Sequence, residues 1–209
     1  MAHQTKSLIY EIGAQFQLEG CISSSEVHGN GNVNDTFLLF CENGDSSNRY
    51  TLQRINHEVF KDPEGLMDNF SRVTRHLHSK MAEEKSERQC LCVIPANDGR
   101  SFHKDSDGNY WRVTKFVDGG RSHEVPENRE QAYEAAKAFG DFQAKLVDLP
   151  GEPLLDTIPD FHNTRMRFEH FRSTLRKDEL GRASKAEEWI AFAMERESLS
   201  DRIRCDDFP

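Results

Sequence analysis

The sequence predicts an α+β protein: a strand-rich first half with one inserted helix, followed by an all-helical second half. Three observations carry this. Short apolar segments separated by Gly- and Asn-containing turns run to about residue 118. One helix signal interrupts them, Asp62-Pro63 followed by Leu66, Phe70, Val73 and Leu77 on a single stripe. After Gly119-Gly120 the apolar period becomes helical. That change divides an expected first lobe, residues 1–118, from a second, residues 119–209.

In chain order, Ser7 to Phe16 carries apolar residues at helical spacing and predicts a short leading helix. Cys21 to Val27 is compatible with a strand, and Val33 to Cys41, rich in aromatic and aliphatic residues, is a stronger one. Polar Glu42 to Asn48 is a turn. Arg49 to Ile55 then alternates, with Tyr50, Leu52 and Arg54 on one face and Thr51, Gln53 and Ile55 on the other. Asp62 offers a capping acceptor and Pro63 occupies the first helical position. The charged stretch Glu83 to Arg88 faces solvent, and Cys90 to Ile94 reads as a short buried strand. Ser101 to Lys104 and Asn109 to Val117 flank Asp105-Ser106-Asp107-Gly108, a hairpin turn. Glu127 to Val147 places Ala132, Ala135, Phe139, Phe142 and Leu146 on one helical face. An extended connector with Pro150, Pro153 and Pro159 leads to two further helices, Asn163 to Arg176 and Ser184 to Leu199.

Composition removes several function classes. A net charge of −9 argues against a nucleic-acid partner, because phosphate neutralisation needs a basic surface. It does not exclude a nucleotide, which needs only a few local donors and one or two cations. No apolar run approaches the roughly 20 residues of a membrane span, and Met1 to Lys6 do not open a secretory leader. The five cysteines, Cys21, Cys41, Cys90, Cys92 and Cys205, lack zinc-site spacing. They read as small apolar side chains of a cytoplasmic protein, and no metal site built by this chain is expected.

Four segments are candidates for chemistry. His28-Gly29-Asn30-Gly31-Asn32 and the residues to Thr36 place two glycines between strands; such a loop either presents backbone N–H groups to phosphate or is an ordinary hairpin turn. Arg54 ends an apolar strand where a two-lobed kinase holds phosphates, and Glu64 or Asp68, one turn apart on the following helix, are the acids that would orient it. Thr114, Lys115, Phe116 and Val117 end the last strand, where an inter-lobe hinge reads an adenine edge through backbone groups. His162 and Asn163 either touch a hydroxylated substrate or pack and cap a helix.

Taken together, Gly-Asn-Gly-Asn-Val-Asn-Asp-Thr-Phe (29–37), Tyr-Thr-Leu-Gln-Arg-Ile-Asn-His-Glu-Val-Phe-Lys-Asp-Pro-Glu (50–64) and Asp-Thr-Ile-Pro-Asp-Phe-His-Asn-Thr (156–164) resemble one family. It is the N-acetylhexosamine 1-kinase branch of the aminoglycoside phosphotransferase and choline kinase superfamily. The resemblance implies a protein-kinase-like fold, an antiparallel first-lobe sheet with one helix and a helical second lobe. It also implies ATP as cosubstrate, Mg²⁺ in full-length relatives, and transfer to a small hydroxyl acceptor such as an N-acetylhexosamine. By family position Gly29, Gly31 and Asn32 belong to the nucleotide loop, Arg54 replaces the phosphate-binding lysine, and Thr114 to Val117 form the hinge.

The departure from the family lies at the end of the chain. The family's catalytic loop carries an aspartate base, an asparagine five residues on, and a later metal-binding aspartate. Here Arg202-Ile203-Arg204-Cys205-Asp206-Asp207 overlays only the start of an Arg-x-Thr-His-Asn-Asp segment, without its threonine and histidine. Asp207 is then the base candidate; an ordinary acidic terminus is the other reading. The expectation is a truncated sugar kinase lacking most of its catalytic residues. The alternative is a non-catalytic nucleotide-binding pseudokinase or interaction module, with self-association through a partial second lobe.

Overall fold

The computed structural model describes residues 2–29, 33–84, 90–120, 123 and 125–202. Gly31, Asn32, part of the charged stretch Glu83 to Arg88, and the terminal segment with Asp207 lie outside the described residues. The chain forms two compact units, Met1–Thr157 and Ile158–Pro209.

The first unit is built on a six-stranded antiparallel sheet. Its strands are β1 (Cys21–Val27), β2 (Asp35–Asn43), β3 (Ser46–Ile55), β4 (Val93–Ile94), β5 (His103–Lys104) and β6 (Tyr110–Lys115). They lie in the order β1-β2-β3-β6-β4, with β5 also paired to β6. The β2–β3 hairpin turns tightly at Gly44, whose φ of 61° favours glycine, and its register runs from Asn43↔Ser46 to Asp35↔Arg54. The Asp105–Gly108 turn forms as the sequence predicts. Asp105 accepts from the Asp107 N–H at 3.0 Å, the Asn109 N–H at 2.8 Å and the Trp111 indole N–H at 2.8 Å.

Alternation along the strands gives the sheet two differently packed faces. On one, Leu39, Cys41, Tyr50, Leu52, Trp111 and Val113 are buried against Ile9, Ile12 and Phe16 of the α1 segment (Ala2–Gly13) and the residues after it. On the other, Ile55 and Tyr110 pack with Phe102 and with Leu66, Met67 and Phe70 of α2 (Pro63–Glu83). Removing such side chains from water supplies about 1.5–3 kcal/mol each. The start of α2 follows the sequence: Asp62 Oδ1 accepts from the Gly65 N–H at 2.9 Å, and Pro63 occupies the first turn.

Two expectations change. The buried strand expected over Cys90 to Ile94 shrinks to Val93–Ile94, and Leu91 is exposed, because only these two residues pair with β6. Helix α3 (Arg129–Leu146) forms, but it contains no buried residue; Phe139 and Phe142 are exposed. It meets α2 through polar groups instead. His76 Nε2 lies 2.8 Å from the Lys145 carbonyl, Lys145 pairs with Glu84 at 2.7 Å, and Asp148 pairs with Lys80. Asn69 ties in the connector, donating to the Leu155 carbonyl at 2.7 Å and accepting from the Leu155 N–H at 3.0 Å. The compact unit that holds α3 and this connector runs to Thr157.

The second unit contains α4 (Thr164–Lys177) and α5 (Glu187–Met194). Asp178, in a left-handed conformation (φ 35°), ends α4 and donates its N–H to the Thr174 carbonyl. The single helix expected over Ser184 to Leu199 is divided into 3-10 turns at Ala183–Lys185 and Glu197–Asp201 with α5 between them. Arg172 and Arg165 converge on Glu197, at 3.1 and 3.4 Å. Among the described residues, no helix is long and apolar enough to cross a membrane.

Candidate functional site

Arg54 projects from β3 on the face that also carries Leu52 and Tyr50. Directly across the hairpin stands Asp35, and the two form an ion pair, with Arg54 Nε 2.8 Å from Asp35 Oδ2. The guanidinium also lies over Trp111, 6.0 Å from the ring centroid. Gly29 and Arg54 meet at one cavity of about 460 Å³, whose other walls include Leu8, Ile9, Phe37 and Trp111. A second cavity, of about 380 Å³, lies beside the same pair, lined by Val33, Asn56, His57 and Asn109.

The acid on Arg54 is therefore neither Glu64 nor Asp68. Side-chain alternation places Arg54 on the α1 face, whereas α2 covers the opposite face, so the sheet separates them. Glu64 instead accepts from the Tyr110 hydroxyl at 3.3 Å, and Asp68 pairs with Arg72 one turn on, at 3.9 Å. Asp35 was missed by sequence reasoning. Its signal was the hairpin register: once the turn is placed at Gly44, counting back along both strands sets Asp35 opposite Arg54.

The α2 face holds a polar row that the sequence reading did not single out. Gln53 on β3 donates from Nε2 to Thr36 Oγ1 on β2 at 3.0 Å and accepts at Oε1 from Arg112 Nε on β6 at 2.9 Å. The Arg112 guanidinium stacks on Phe70, 4.3 Å from the centroid, and reaches Met67 Sδ at 4.0 Å. Among the described residues no carboxylate lies within ion-pair distance of it, and burial pushes its pKa down to about 10. The signal was Arg112 itself, a cation between Trp111 and Val113 whose alternation turns it to the sheet face opposite theirs.

The expected hinge continues from the end of β6. The Lys115 N–H donates to the Cys92 carbonyl at 2.9 Å and the Phe116 N–H to the Arg49 carbonyl at 3.0 Å; Thr114 is buried inside the ladder, opposite Thr51. Of the four hinge residues, Val117 is the one whose N–H has no partner among the described residues. His28, at the start of the glycine loop, meets Phe116 edge to face with centroids 5.6 Å apart, and Arg49 lies over the same ring at 4.8 Å. His28 thus meets the hinge at the end of β6, while Gly29 lines the Arg54 cavity on the α1 face.

In the second unit, Asn163 caps α4, its Oδ1 accepting from the Met166 N–H at 3.0 Å, and His162 packs edge to face on Phe161 at 4.9 Å. A cavity of about 500 Å³ opens beside Phe171, Leu175, Leu180 and Ile190. Among the described residues, no three His, Cys, Asp or Glu side chains are grouped to hold a metal ion.

No protein-family model matches the sequence. Among solved structures, the chain is similar to spectinomycin phosphotransferase APH(9)-Ia, determined with ADP and spectinomycin. The TM-score is 0.53 at 12% identity, over 97% of this chain and 58% of that one. The fold is kinase-like. At this identity the likeness is one of fold: an antiparallel sheet with helices packed on it, followed by further helices. The chain spans well under two thirds of the length of the phosphotransferase it matches.

Proposed function

We propose that this chain binds ATP in its first unit and belongs to an ATP-dependent phosphotransferase whose acceptor is a small hydroxylated molecule, an N-acetylhexosamine by the motifs at 29–37, 50–64 and 156–164. The observation that carries the nucleotide part is the end of β6. There a hinge-like strand offers the Val117 N–H, while His28 and Phe116 bring the start of the glycine loop against the hinge. Backbone donors at the hinge suit the adenine edge, and Gly29, with φ 79° and open space where a Cβ would stand, suits close approach of a ligand to the loop backbone. The kinase-like fold supports the same reading.

In this reading His162 and Asn163 lie toward the acceptor and Asp207 is the base that takes its proton, with Mg²⁺ drawn from groups beyond those described. A second reading, a pseudokinase that binds nucleotide without turnover, rests on the departure of Arg202 to Asp207 from the family's catalytic-loop pattern. Titration calorimetry with ATP and ADP, with and without Mg²⁺, tests both. Absence of binding at millimolar nucleotide would end both readings. Binding with ADP release in the presence of N-acetylglucosamine or N-acetylgalactosamine selects the enzyme, and binding without turnover selects the pseudokinase. Phe139 and Phe142, exposed on α3, make concentration-dependent self-association the further expectation, checked by sedimentation velocity.

A further inference from the structure

Arg112 is a part-buried cation with no carboxylate in reach among the described residues, held by neutral groups alone. A desolvated charge without a counter-ion is costly, and an anion bound there would offset that cost. The neutral groups also orient it. An arginine can only donate, so the Gln53 carbonyl must face Arg112 and its amide nitrogen must face Thr36 Oγ1, as found. Thr36 accepts that bond and keeps its own hydroxyl proton to give. The row from β2 through β3 to β6 therefore presents two sets of unused donors, the Thr36 O–H at one end and the Arg112 N–H groups at the other. With strands spaced about 4.8 Å apart, these ends are roughly 10 Å apart, a span comparable to a triphosphate chain.

The row shares its face with α2, whereas Arg54 projects from the opposite face and is already neutralised by Asp35. We propose that Arg112, oriented by Gln53, is the cation that takes the phosphate chain of the bound nucleotide, with the Thr36 hydroxyl as its partner donor, in the role the sequence motif assigns to Arg54. This inference rests on the nucleotide-binding reading above. It moves the phosphate cation from one strand to its neighbour, so that Gln53 is a positioning residue.

Calorimetry with ATP, inorganic tripolyphosphate and adenosine separates the claims. Arg112→Met, which keeps the stem on Phe70, is expected to weaken ATP and tripolyphosphate by at least about tenfold and to leave adenosine within about threefold, since a charged hydrogen bond is lost only where there is phosphate. Arg54→Gln tests the competing assignment at a side chain exposed enough to be replaced without unfolding. A loss of about tenfold there overturns the proposal, whether or not the Arg112 variant folds. Unchanged ATP binding by a folded Arg112→Met protein also overturns it. A wild-type protein that binds adenosine but not tripolyphosphate refutes the phosphate site and spares the nucleotide reading; one that binds neither ATP nor adenosine removes both.

Discussion

If Arg112 is kept for a ligand, removing its charge should cost the folded protein little. Burial lowers its pKa from the ordinary arginine range to about 10. At about 1.4 kcal/mol for each tenfold change, the charged form carries a penalty of roughly 3 kcal/mol. Against this stand one charge-assisted bond to Gln53, about 1.5–3 kcal/mol, and the stack on Phe70, about 0.5–2 kcal/mol. The two sides nearly cancel. Arg112→Met gives up both contacts and the penalty together and fills the volume beside Met67 and Phe70 with a thioether. Its unfolding free energy is expected within about 1 kcal/mol of wild type. Gln53→Leu combined with Arg112→Met, which leaves no orphaned acceptor, is expected to be about 1–2 kcal/mol more stable than wild type.

Urea unfolding followed by far-ultraviolet circular dichroism measures both variants. The sign with pH is also set. A cation whose folded pKa is depressed costs stability wherever it is charged, and the cost eases only as pH rises from about 10 toward the unfolded value. Between about pH 6 and pH 9 the difference between variant and wild type should therefore be flat. A loss above about 3 kcal/mol for Arg112→Met would show that Arg112 is a net structural element and remove the reason for expecting an anion beside it.

Three further outcomes follow from the same geometry. Asp35→Asn breaks the pair with Arg54, but both side chains are about half exposed, so the loss by urea unfolding should stay below about 1 kcal/mol. Asp105→Ala should cost about 2–4 kcal/mol by the same assay, because it strands the buried Trp111 indole N–H and the Asn109 N–H. Burial alone would raise the Asp105 pKa, but the bonds from Trp111, Asn109 and Asp107 outweigh it and lower it, so this stability is present above the ordinary carboxylate range and lost as pH falls through the folded value. Asp148 is lowered first by its bond from Lys80, and Lys80 is raised first by Asp148. The attachment of α3 should therefore weaken both as pH falls through the folded Asp148 value and as it rises through the folded Lys80 value; hydrogen exchange over residues 129–146 should show both limbs in wild type and neither in Asp148→Asn.

What could be read in advance was local. The bounds of β1, the Asp62 cap and the Asp105–Gly108 turn all depend on residues a few positions apart, and each follows from its own stretch of sequence; the turn expected over Glu42 to Asn48 is narrower, since the strands run to Asn43 and from Ser46. The two faces of β3 were also legible, because alternation is local. Which helix would lie on which face was not, since that depends on how α1 and α2 return to the sheet from opposite ends of the unit. That one unknown decides the site. With α2 on the Gln53 face, the motif Leu52-Gln53-Arg54-Ile55 aims its arginine away from α2 and its glutamine toward it. A glutamine cannot neutralise phosphate, so under the proposed reading the charge comes from a strand beside it. Strand β6 pairs Arg112 with Gln53 in register, and thus one residue of the motif serves to hold a cation the motif does not contain.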